Sequence, residues 1–164
     1  MAIPYAIAHQ DQINGLITSG ANLASNLASP VLMALAGILS AVVPGMGVTI
    51  IDANLISRDP AVVSAYINDP LVFRGKISAR TGAELVHMWK SLPAKIPALK
   101  LPLLVLQGSS DGLSDPAGSK MLYDRASSHD KTIRLYEGFY HEIFNEQEHE
   151  IVMLDIEGWL NARL

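Results

Sequence analysis

Residues 101–142 read LPLLVLQGSSDGLSDPAGSKMLYDRASSHDKTIRLYEGFYHE, and this stretch decides the fold class. From Leu101 the chain is apolar up to a Gly/Ser/Asp loop, the pattern of a strand buried on both faces of a parallel sheet. Asp115-Pro116 then places an N-capping carboxylate before a first-turn proline, which starts a helix running to about Ser127. Thr132–Gly138, TIRLYEG, alternates like a second strand. After the loop FYHE, a helix is expected from about Gln147 to Arg163, with Ile151, Leu154, Ile156, Trp159 and Leu160 at roughly helical spacing. Strand, helix, strand, helix with short loops is the order of a parallel α/β sheet.

Working outward, Ile3–His9 reads as a helix and Ile13–Thr18, INGLIT, as a short buried strand beside the turn dipeptides Asn14-Gly15 and Ser19-Gly20. Between that strand and the one at Leu101 lies a helical, proline-punctuated stretch. Its apolar run Val31–Val43, VLMALAGILSAVV, is shorter than the ~20 residues that cross a bilayer. Two readings of it stand: a buried helix, or a helix whose apolar face meets lipid or a lipid-like substrate. Asp59-Pro60 opens a short helix through Tyr66, Asp69-Pro70 repeats the device, and Arg80–Leu92 carries Leu85, Met88, Trp89 and Leu92 at helical spacing before Pro93 and Pro97. An insertion after the carboxyl end of a strand decorates a binding site. The expected organisation is therefore 1–25 as a partial α/β core, 26–97 as a helical cap or lid shielding an apolar groove, and 98–164 as α/β core carrying the candidate site.

The composition agrees with one ordinary core: 164 residues, 49% hydrophobic and 17% charged, which excludes a disordered or fibrous chain. With 12 Lys+Arg against 16 Asp+Glu there is no cationic footprint for a phosphate backbone, so nucleic acid is not an expected partner. The absence of cysteine removes disulfides, thiolate catalysis, zinc ribbons and iron–sulfur sites. No Lys or Arg precedes the apolar residues of MAIPYAIAHQDQ, which does not read as a secretory signal. Compartment stays open, a cytoplasmic or membrane-peripheral location being favoured.

Ligands of a parallel sheet meet the carboxyl ends of its strands, and two such ends here carry titratable groups, Asp111 in QGSSDG and His141 in EGFYHE. A neutral imidazole acting as a base needs a carboxylate to fix its tautomer and to stabilise the imidazolium it becomes. Each residue also has a plain structural reading: Asp111 as a turn former beside Gly112, His141 as a satisfied loop histidine. Asp115 is the rival acid, but its place ahead of Pro116 makes it an N-cap. A metal reading rests on the ligand-rich run from His141 to Glu150, where His141, Asn145 and His149 would align on a helix; HEIFN is not H-E-x-x-H, and no metal or other cofactor is expected.

The segment from Pro102 to Glu146, with its paired strand ends QG-x-x-D and YEG-x-YH-E, resembles the acid-to-histidine part of the monoacylglycerol lipase and lysophospholipase-like α/β-hydrolases. LISRDPAVVSAYINDPLVF, from Leu55, looks like the cap of the same family. The resemblance implies an α/β-hydrolase parallel sheet with an inserted cap and a Ser-Asp-His triad, with Asp111 and His141 as acid and base and Tyr66 facing the polar head of a lipid monoester. It also implies a nucleophile in a G-x-S-x-G elbow, and the one stretch with that spacing, Gly108-Ser-Ser-Asp-Gly112, is the loop that carries Asp111 and does not read as an elbow. Ser19, Ser109 and Ser110 are not on elbow-like turns and read as turn or loop hydroxyls. MAIPYAIAHQDQINGLITSG looks instead like the helix after the elbow and the next strand, so the expected chain is the C-terminal portion of such a hydrolase, inactive alone.

Two functions follow: a hydrolase portion that acts on a lipid monoester or other apolar ester when the missing half is supplied, or a non-catalytic α/β module binding an apolar ligand or a partner chain. Transient membrane contact through the cap is a further expectation. Without a neighbouring strand, INGLIT would be a sheet edge with no Lys, Pro or inward charge, its apolar faces open, and self-association is expected.

Overall fold

The computed structural model describes residues 2–24 and 30–163. In chain order these form α1 (Ala2–Ala8), β1 (Leu16–Ser19), α2 (Pro30–Val42), β2 (Gly47–Thr49), α3 (Pro60–Asn68), β3 (Ile77–Ser78), α4 (Ala79–Ser91), β4 (Leu103–Gly108), α5 (Pro116–Arg125), β5 (Lys131–Tyr136) and α6 (Glu150–Asn161). Short 3-10 turns lie at Ala53–Leu55, Leu92–Ala94, Ile96–Ala98 and Ile143–Asn145.

The sheet that positions the site is parallel, with strand order β1-β4-β5. Leu16 pairs with Leu103 and Leu103 with Lys131, and the register runs on to Ser19 beside Leu106 and Gly108 beside Tyr136. All three strands therefore end at the same rim. Every residue of β4 is buried, as an apolar central strand must be when it has a strand on each side and helices on both faces. On one face Leu103 and Val105 pack with Ile3 and Ala6 of α1, Leu122 of α5 and the turn residues Leu92, Ile96 and Leu99. On the other, Leu104 and Leu106 pack with Val152, Ile156 and Trp159 of α6.

Some boundaries differ from the sequence reading. The INGLIT strand starts only at Leu16, and its faces are covered rather than open: Leu16 joins the α1 side and Ile17 packs toward α6. Among the described residues β1 still lies at a sheet edge. Asp59 does cap α3, accepting from Ala61 N–H at 2.8 Å, but Asp69-Pro70 opens no helix. Asp69 caps a turn instead, accepting from Leu71 N–H at 2.8 Å, because Leu71 and Phe73 beyond it find nothing to pack on and stay exposed. The buried face of α6 is Val152, Ile156 and Trp159, while Ile151, Leu154 and Leu160 are exposed. The antiparallel pair of β2 and β3, three and two residues long, was too short to show as a periodicity.

Between β1 and β4 lie α2, α3 and α4 with the β2–β3 pair, in the stretch that the sequence reading gives to a helical cap. Its expected start at residues 25/26 lies outside the described residues, and its expected end at 97/98 falls in a turn whose Ile96 and Leu99 are core residues. The buried-helix reading of Val31–Val43 does not hold: Val31, Leu35, Ile38, Val42 and Val43 are exposed, with Ala36 and Ser40 buried toward α4. No helix among the described residues is long and apolar enough to cross a membrane.

Candidate active site

Asp111 and His141 meet at the common rim of the sheet. Asp111 sits three residues past β4, in a turn closed by its own N–H to Gly108 O, and its side chain is fully buried. Both carboxylate oxygens are filled by donors. Leu113 N–H and Ser114 N–H donate to Oδ1, each at 2.9 Å, while Gln107 Nε2 and His141 Nδ1 meet Oδ2, each at 2.8 Å. Burial pushes the Asp111 carboxyl up, but the hydrogen bonds from His141, Ser114 and Leu113 and the charge of His141 outweigh it. The pKa lies below the usual carboxylate value. An ionised carboxylate only accepts, so this network assigns the proton to Nδ1 and leaves the lone pair of the neutral imidazole on Nε2.

Behind Asp111 the network continues into the core, where Gln107 Oε1 accepts from Ser119 Oγ at 2.7 Å. Gln107, wholly buried at the end of β4, is a functional candidate that the residue-by-residue reading passed over; a polar side chain in an otherwise apolar buried strand was the available signal.

Two glycines let the histidine loop come this close. Gly108 runs against the loop so tightly that a Cβ there would lie 2.3 Å from Tyr140 O and 2.4 Å from Phe139 O. Gly20, after β1, has φ +53° and would place a Cβ 3.0 Å from His141 O and 3.1 Å from the ring. Ser109, suggested as a loop hydroxyl, accepts from Gly138 N–H at 2.8 Å and helps hold the same crossing. The alignment of His141, Asn145 and His149 does not form, since a 3-10 turn and α6, beginning at Glu150, replace one continuous helix. Asp115 caps α5, accepting from Ala117 N–H at 2.8 Å.

His141 lines an apolar cavity between the rim and the cap. Ala36 and Leu39 of α2, Val86 and Trp89 of α4, and Leu113 and Ser114 beside Asp111 form much of the wall. It encloses about 140 Å³, against the roughly 10–15 Å³ that a single water needs. Trp89 Nε1 donates to Asn22 O and Oδ1 at 3.2 and 3.1 Å, which ties the cap to the loop after β1. Ser114 Oγ, buried in the wall, has no hydrogen-bond partner among the described residues. Tyr66, half-buried on α3, is not among the lining residues.

The model of the Hydrolase_4 family, serine aminopeptidase S33, matches residues 1–148. The chain belongs to this family. Its sequence is 39% identical over 161 residues to a monoacylglycerol lipase of Mycolicibacterium smegmatis, covering 98% of this chain and 58% of that protein. It is 35% identical over 135 residues to the human monoglyceride lipase, covering 78% and 43%. The chain thus spans about half the length of these curated relatives. Among solved structures, the monoacylglycerol lipase of Paleococcus ferrophilus superposes with a TM-score of 0.90 at 34% identity, covering 98% of this chain and 63% of that one. The soluble variant of the Saccharomyces cerevisiae monoglyceride lipase, in complex with a substrate analogue, gives 0.84 at 25%, covering 98% and 57%. The chain has the α/β-hydrolase fold, in part, of these solved structures.

Proposed function

We propose that this chain supplies the acid and the base of a serine hydrolase acting on a carboxylic ester of the monoacylglycerol type. The observation that carries the reading is the His141 Nδ1 to Asp111 Oδ2 contact of 2.8 Å on the wall of an apolar cavity. In this chemistry His141 Nε2 takes the proton of an attacking hydroxyl and later returns it to the leaving alcohol, while Asp111 holds the tautomer and stabilises the imidazolium. The cavity receives the acyl chain. Tyr66 enters the proposal as the residue that meets the polar end of the substrate.

The attacking serine belongs, in this reading, to a G-x-S-x-G elbow at a strand-to-helix turn, which the loop Gly108–Gly112, lying between β4 and an α5 that begins only at Pro116, does not provide, so the chain alone turns over a short acyl ester at the background rate. Adding an elbow-bearing segment of a relative tests it. Restored turnover should fall by about 10⁴ in kcat with Asp111→Asn and vanish into background with His141→Ala, and Tyr66→Phe should raise KM while sparing kcat. Turnover indifferent to Asp111 and His141 would refute the assignment.

The second reading, a non-catalytic module for an apolar ligand, is favoured by the cavity being lined within this one chain. Tight binding of a non-hydrolysable ester, with no turnover under complementation, would support it. For partners, we propose transient membrane contact through exposed Val31, Ile38, Val42 and Phe73 of the cap, and self-association along the β1 edge.

A further inference from the structure

The residues on either side of His141 both have their backbone N–H groups engaged. Tyr140 N–H donates to Glu146 Oε1 at 2.7 Å, and Glu142 N–H donates to Ile56 O at 2.7 Å. Glu146 has a completely buried side chain, and its other donors come from the segment that leads into α3: Arg58 N–H at 3.3 Å to Oε1 and Arg58 Nε at 2.9 Å to Oε2. A carboxylate taken out of water needs such charge-assisted partners, and here one of its oxygens also fixes the amide next to the histidine.

The same segment grips the loop elsewhere. The Arg58 guanidinium continues to Glu148 and lies 4.8 Å over the Phe139 ring, and Ser57 Oγ donates to Asn145 O at 2.9 Å. Residues 56–58 thus form a strap along the histidine loop, bonded to it through Glu142 N–H, Asn145 O and the Glu146 carboxylate, while Gly20 and Gly108 pack against the carbonyl oxygens of His141, Tyr140 and Phe139. A pair serving only overall stability has no reason to end on the peptide adjoining the imidazole.

We propose that Arg58 and Glu146 are positioning residues for His141: their pair fixes the backbone before the histidine, Ile56 fixes it after, and the ring thereby keeps Nδ1 on Asp111. The proposal rests on the Asp111–His141 reading and adds that the base is held from the cap side, so that displacement of the strap disturbs the imidazole.

The test follows the His141 Nδ1–H resonance and its exchange with water by NMR in the labelled chain. Asp111→Asn serves as the reference for a released ring. Arg58→Met and Glu146→Gln should speed that exchange about tenfold or more, as local opening of the loop becomes easier, while the amides of Leu103–Gly108 keep their protection. Arg58→Lys, which retains the charge but not the planar fork, should recover part of the effect. A merely stabilising pair would lower the melting temperature and leave Nδ1–H exchange in the folded molecules as in the parent, and that result overturns the proposal. Should Glu146→Gln fail to fold, the partly exposed Arg58 variants decide alone. A parent without the Asp111-bonded Nδ1–H resonance would refute the acid–base reading and this proposal with it, whereas unchanged exchange in Arg58→Met refutes only the positioning role.

Discussion

All six residues of β4 are buried, whereas the equally apolar α2 leaves Val31, Ile38 and Val42 at 68%, 63% and 73% exposure. The difference lies in the neighbours. β4 has β1 and β5 at its sides and helices on both faces, while α2 packs along α4, puts Leu39 on the cavity wall and leaves Val31, Leu35, Ile38 and Val42 outward. Hydrophobicity thus marks a segment that can be buried, and the surrounding chain decides whether it is. The same contrast divides the site: the rim of the sheet fixes the Asp111 carboxylate by four hydrogen bonds, one of them to His141 Nδ1, and the cap contributes an apolar wall.

Two alanine substitutions at glycine should separate these regions most widely. Gly108→Ala forces a Cβ against two carbonyl oxygens of the histidine loop, and urea denaturation should register a loss of about 3 kcal/mol or more. Gly37→Ala, on α2 with nothing within 4 Å of the new methyl, should stabilise by roughly 0.5–1 kcal/mol through helix propensity. Equal effects at the two glycines would erase the distinction. Leucine-sized truncations come next. Leu106→Ala should cost about 2–5 kcal/mol in the same assay, and Ile38→Ala about 0.5 kcal/mol or less. A large penalty at Ile38 would mean that α2 is covered in solution.

The core was legible because β4, α5 and β5 each carry a strong local signal: an unbroken apolar run, an Asp-Pro cap and an alternating strand. Asp111 and His141 stood out because both follow strands, where sheet chemistry gathers. Gln107 and Glu146 were not legible in the same way. Gln107 showed only as a polar residue in an apolar strand, its bonds to Asp111 and Ser119 being set by the turn and helix that follow, and Glu146 is one of several acids between Glu142 and Glu150, singled out by a contact with Arg58 that spans 88 residues. The Asp69-Pro70 helix failed for the converse reason, a correct capping pattern with no face to bury behind it.

The network around Asp111 carries a pH signature. Its carboxyl pKa is lower in the folded chain than in the unfolded one, so the stabilisation is complete above the unfolded value, near 3.9, and is lost as pH falls through the folded value. Asp111→Asn should therefore cost about 2 kcal/mol at neutral pH, from lost charge-assisted hydrogen bonds, and the gap to the parent should narrow below about pH 4. Denaturation curves whose separation stays constant from neutral to acid would show that the carboxylate charge contributes nothing there.

The smallest effect compares two fully buried serines, one in each setting. Ser119 Oγ donates to Gln107 Oε1 and so supports Asp111 from behind, whereas Ser114 Oγ, on the cavity wall, is without a partner among the described residues. Removing a satisfied hydroxyl leaves its partner stranded, so Ser119→Ala should lose about 1 kcal/mol. Removing an unsatisfied one relieves a desolvation cost, and the Ser114 N–H that donates to Asp111 survives the change, so Ser114→Ala should be neutral or gain up to about 1 kcal/mol. Thermal melts of the two variants decide the point: a clear loss at Ser114 would mean that its hydroxyl is hydrogen-bonded in solution, and the cavity would then hold ordered water rather than apolar free space.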